Sequence, residues 1–198
     1  MSLESSAGRP RRLLDTAAMR AFAHPVRLAL HELLMRAGTM TAADAAREVG
    51  VSQALASYHL RQLAKAGLVT QAEPRDERER PWKATESRQD WDDSASGPEG
   101  TAARHLLEQV IAERALSRLV EWQQRRQDEP EPWQGAGGVS NSYLYATPEE
   151  FAALGDAIGA LLEPLIARID DPSTRPEGSR TVLLTQLWVP LPPTASGD

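Results

Sequence analysis

The stretch TAADAAREVGVSQALASYHLRQLAKAGLVTQAEPRDERERPWKAT, residues 41–85, constrains the fold more than any other part of the chain. Thr41 is placed to cap a short helix, 42–49, whose apolar side is nearly all alanine, and such small side chains let two helices cross closely. Gly50-Val51 makes a tight turn. Ser52 then caps a second helix that runs to Ala66 and stops at Gly67, a left-handed C-cap. Leu68-Val69-Thr70 begins a strand, the charged run EPRDERER reads as a hairpin tip, and Pro81–Thr85 forms the returning strand.

A short helix, a glycine turn, a capped helix and a charged hairpin make up a helix-turn-helix with a wing. On the second helix Ala56, Leu60 and Leu63 recur at i, i+4 and i+7 and face the core, which leaves Gln53, Ala54, Ser57, Tyr58 and Arg61 outward. An outward row of this kind suits a duplex groove. Gln53 can pair bidentately with adenine, Arg61 can reach guanine or phosphate, and the hydroxyls of Ser52 and Ser57 suit backbone or base edges. The helix N-terminus itself favours a phosphate. In the wing, Arg75, Arg78 and Arg80 can touch backbone phosphate or the minor groove, although Asp76, Glu77 and Glu79 leave the tip nearly neutral. Taken alone, the helix is also an ordinary amphipathic surface helix.

The run VSQALASYHLRQLAKAGLV resembles the recognition-helix signature of the ArsR-like regulators, and AFAHPVRLALHELL looks like the helix that precedes it in that family. The resemblance covers about residues 11–85. It implies a dimer with one recognition helix per subunit in adjacent major grooves of double-stranded DNA. The family's familiar metal sensing is not carried over, because its thiolates and paired His/carboxylate sites have no counterpart here.

Around this unit the pattern is mainly helical with a little β. A helix is expected from Arg11 to Ala23, and Pro25 at a first helical position starts another through Arg36, with Val26, Ala29, Leu30, Leu33 and Leu34 on one face. Residues 86–100 are polar and turn-rich and read as a linker, so Asp90, Asp92 and Asp93 are better explained as linker than as a cation site. A long helix follows from Thr101 to about Gln127. Its apolar face changes sides, from Ala103, Leu107 and Val110 to Leu116, Leu119 and Val120, which calls for different partners along its two halves. A strand at Ser142–Ala146, a helix opened by Thr147-Pro148-Glu149-Glu150, and a last strand at Thr181–Val189 complete a β-α-β C-terminal region spanning, with the long helix, residues 101–190. The apolar stripe of that helix runs from Phe151 to Ile169, and Pro164 is expected to bend it.

The net charge of −6 conceals a division: residues 1–85 carry 13 Lys/Arg against 9 Asp/Glu, and residues 86–198 carry 9 against 19. A basic unit joined to an acidic one fits a phosphate-contacting module whose companion is kept off the duplex by like charge. Cysteine is absent, which removes disulfides and thiolate metal sites. Of the four histidines, His24 reads as a helix cap, His31 and His105 as helix-surface residues, and His59 as a packed structural imidazole, with no metal site and no cofactor among them. No nucleophile motif, phosphate loop or hydrolase spacing supports an enzyme. No run approaches the roughly 20 apolar residues of a membrane span, and the first residues lack a secretory pattern, so a cytoplasmic protein is expected.

These features point to a homodimeric, sequence-specific DNA-binding regulator, a repressor in preference to an activator, acting on a palindromic operator. The competing reading is a winged-helix protein-interaction module without DNA readout. Trp122, Trp133 and Trp188 are candidates to wall a pocket for a small organic effector, or to form core and dimer interface.

Overall fold

The computed structural model describes residues 12–73, 79–85, 89–91 and 97–192. Among them helices dominate, and each short sheet has two strands. β1 (Arg12–Leu14) leads into α1 (Thr16–Phe22), capped by the Asp15 carboxylate, which accepts from the Ala18 amide at 2.7 Å. α2 (Pro25–Ala37) begins where Pro25 fixes the helical φ. His24 caps it, its Nδ1 accepting from the Val26 amide at 3.2 Å. The Arg27 side chain reaches back to the carbonyls of Ala21 and Arg20, which lack intrahelical partners at the end of α1.

α3 (Ala42–Val49) is capped by Thr41 and closed by Gly50 in the left-handed region, and the amides of Gly50 and Val51 both return to the Ala46 carbonyl. Ala45 and Ala46 are buried, which permits the close approach of α4 (Gln53–Lys65). At the far end of α4 the chain turns at Gly67, with φ +70°, and the Leu68 amide bonds back to the Leu63 carbonyl at 2.9 Å. β2 (Val69–Gln71) and β3 (Trp82–Ala84) pair antiparallel in the register Val69↔Ala84. A bridge between Met40 and Trp82 ties this hairpin to the start of α3.

One core joins these elements. Met19, Leu30, Leu34, Leu60, Leu63 and Leu68 are fully or almost fully buried, and Ala103 and Leu107 of α5 (Gly97–Arg125) belong to the same cluster. The first half of the long helix is therefore part of the helix-turn-helix core. Glu32 of α2 clamps the second half, its carboxylate lying 2.8 Å from both Arg114 and Arg118. Beyond α5 come a 3-10 turn (Arg126–Asp128), α6 (Glu131–Gln134), α7 (Pro148–Asp170) and a second 3-10 turn (Pro172–Thr174). The Thr147/Glu150 capping box opens α7 in the expected way, and the helix continues through Pro164.

Several expectations are corrected. The first helix starts at Thr16, since residues 12–14 form a strand that pairs parallel with β4 (Gln89–Trp91). That pairing also places a strand in the expected linker, and α5 begins at Gly97, four residues before Thr101. His31 is buried, 6 % exposed, with its ring edge-on to Phe22 at 4.9 Å: the wide apolar face of α2 takes in a position that its polarity had assigned to the surface. Neither 142–146 nor 181–189 is assigned as a strand. Both have strand-like sequences, but a ladder needs a neighbour, and the described residues supply none. The doubly buried strand expected at 181–189 is instead exposed, with Val182, Leu187 and Val189 about two-thirds open or more.

Candidate nucleic-acid interface

Helix α4 is held by its inner face. Ala56, His59, Leu60 and Leu63 are buried, so the opposite side of the helix is turned out by the 3.6-residue period. Ser52, Gln53, Ala54 and Arg61 are exposed, Tyr58 is half exposed and Ser57 partly so. The Ser52 hydroxyl accepts from the Leu55 amide at 3.2 Å, so it is engaged as a cap. The amides of Gln53 and Ala54 make no bond to any described residue and present the positive end of the helix.

Thr41, Gln53, Ser57, Arg61, Arg80 and Trp82 line one open groove of about 440 Å³ between the start of α3, the outer face of α4 and the wing strands. This concavity brings together three of the α4 residues singled out in the sequence with one wing arginine. Tyr58 stands on the flank, its ring 5.1 Å from that of His59. Arg75 and Arg78 lie outside the described residues. Thr41, Gln71 and Trp82 were missed by sequence reasoning, because their place in the groove follows from the β2–β3 register and the Met40–Trp82 bridge.

Behind the helix, His24 and His59 stack with ring centroids 4.6 Å apart. Burial lowers the pKa of His59, and the nearby charges of His24 and Arg27 add to this; burial followed by Arg27 does the same for His24. Both shifts disfavour the charged imidazole, and His59 is the packed residue its position implied. Among the described residues no cluster of His, Asp or Glu converges in a metal-binding arrangement, and no helix is long and apolar enough to cross a membrane.

The three tryptophans occupy separate surroundings. Trp122 lies under Arg126 and against Gly137, Trp133 under Arg180, and Trp188 beside Phe151 and Gly155 of α7. A small apolar cavity of about 140 Å³ opens elsewhere, between α2, α5 and residues Leu183 and Thr185, and it contains no tryptophan.

No curated protein matches the chain. Residues 22–72, from the end of α1 to just past β2, match a family model described as a helix-turn-helix domain. That span holds α3, the Gly50 turn and α4, and on this evidence the chain carries a helix-turn-helix domain, the module of DNA-binding regulators.

Proposed function

We propose that the protein is a sequence-specific transcriptional regulator of the ArsR-like winged type, cytoplasmic, acting as a homodimer on a palindromic operator and repressing in preference to activating. The observation that carries this reading is the groove in which Gln53, Ser57 and Arg61 of a firmly anchored helix meet Arg80 of the wing. The DNA-binding unit of the proposal is residues 11–85 together with the first half of α5, which shares its core, and the second half of α5 with the residues to 190 is the region of dimerisation and effector control. Ser52, Gln53, Ala54, Ser57, Tyr58 and Arg61 enter the major groove, while Arg75, Arg78 and Arg80 follow the backbone or minor groove.

Any control in this proposal comes from a non-metal ligand, since thiolate sensing is ruled out by the lack of cysteine and the described residues hold no His/carboxylate cluster. Such a ligand releases DNA only by favouring a dimer geometry in which the recognition helices no longer match the groove spacing. The clamp between Glu32 and the arginines of α5 connects the two halves of that path. Selection of bound duplexes from a random pool, followed by gel shift, tests the proposal. A palindromic consensus bound at submicromolar concentration is expected; failure to enrich any sequence at moderate salt overturns it.

A further inference from the structure

Of the residues in α7, only Gly159 is buried, although the helix carries a full apolar stripe. Leu161 is 73 % exposed and Leu165 52 %. The same holds on the second half of α5, where Leu116 and Val120 are open, and along the two extended segments 139–146 and 181–191. Among the described residues from Leu106 onward, seventeen large apolar side chains are more than a third exposed. At roughly 100 Å² each, their surface is about 1,700 Å², about twice the ~800 Å² that one partner contributes to a standard interface.

Backbone groups repeat the pattern. Residues 139–146 and 181–192 make no backbone hydrogen bond with any described residue, so each is a strand-like sequence with both edges unpaired. The second segment is nevertheless positioned: Arg180 pairs with Glu129, Leu183 lies beside α2 and α5, and Trp188 packs on Phe151.

We infer that a second copy of this chain covers this surface, the segments 139–146 and 181–191 pairing with those of the partner in an intersubunit sheet backed by α7. This rests on the homodimer named above and assigns its interface. The occupant is a second copy because one chain supplies two unpaired edges of matching apolar character, and a two-fold axis satisfies both at once with the same patch on each subunit. The acidic excess of residues 86–198 disfavours duplex DNA as the occupant.

Sedimentation equilibrium of the full chain at micromolar concentration tests the interface, with hydrogen exchange as the second readout. The wild type is expected at twice 21.7 kDa, with amides 182–189 protected. Leu161→Asp combined with Leu187→Asp is expected to give a monomer that keeps its helical far-ultraviolet circular dichroism signal, loses the strand contribution of the intersubunit sheet, and exchanges its 182–189 amides at once. Both positions are open in the isolated subunit, so the charges leave its own core untouched. A monomeric wild type overturns the inference, and so does a dimer whose 181–191 amides exchange freely or that survives the double substitution. A dimer that meets these expectations but binds no duplex sinks the DNA-reading proposal and leaves this one standing.

Discussion

Gln53 and Arg61 project from a helix whose opposite face is locked in the core, so truncating either removes a contact without disturbing the scaffold. Gln53→Ala and Arg61→Ala are each expected to weaken binding to the selected operator by about 10-fold, at unchanged thermal stability. Gly50 makes the opposite kind of contribution. A Cβ there meets nothing within 4 Å, yet φ is +76°, so Gly50→Ala costs backbone strain alone, about 1 kcal/mol, read as a drop of about 3 °C in melting temperature. His31 ties stability to pH. Burial lowers its pKa from 6.5 to about 4, so the unfolded chain takes up a proton that the folded one refuses. Its contribution is whole above pH 6.5 and falls away as the pH drops toward 4, by about 3 kcal/mol at that point. His24 and His59 are shifted in the same direction. Urea unfolding between pH 7 and 4 checks this, and His31→Gln is expected to flatten the slope.

Among the elements, those with local signals were legible in the sequence. Thr41, Gly50, Ser52 and the Thr147/Glu150 box mark helix ends by side-chain chemistry that acts within three or four residues, and the helices start or stop there. The spacing of Ala56, Leu60 and Leu63 likewise identified the buried face of α4, and with it the exposed row. What was not legible depends on distant partners. The parallel pairing of Arg12–Leu14 with Gln89–Trp91 joins segments more than seventy residues apart and has no local signature. His31 looked like a surface residue because its burial depends on Phe22 from the preceding helix. The strands expected at 142–146 and 181–189 do not form among the described residues: their alternation is local, but a ladder needs a partner that the sequence pattern does not name. The Glu32 clamp was also invisible, since Glu32 and Arg114 are eighty-two residues apart. Glu32 is 17 % exposed and faces three arginines, Arg36, Arg114 and Arg118; Glu32→Ala removes the carboxylate between them and is expected to cost about 2 kcal/mol by chemical unfolding.

At the scale of the whole molecule, the chain separates a basic helix-turn-helix half from an acidic, apolar-faced remainder, and α5 belongs to both. Its first half completes the core behind α4, and its second half carries the Glu32 clamp and the open leucines beyond it. In the proposed dimer, a change in how two copies pack would be passed through α5 to the placement of the two α4 helices. Phosphate contacts would make the whole assembly sensitive to ionic strength, whereas docking of a protein partner need not be. The most direct measurement is fluorescence anisotropy of the full chain on its selected duplex over a series of salt concentrations, alongside a scrambled duplex and the Gln53→Ala/Arg61→Ala variant. A steep log-log fall of affinity with salt is expected, with tighter binding to the selected duplex that the variant loses. Equal affinity for both duplexes, unaffected by the double substitution, would contradict the account.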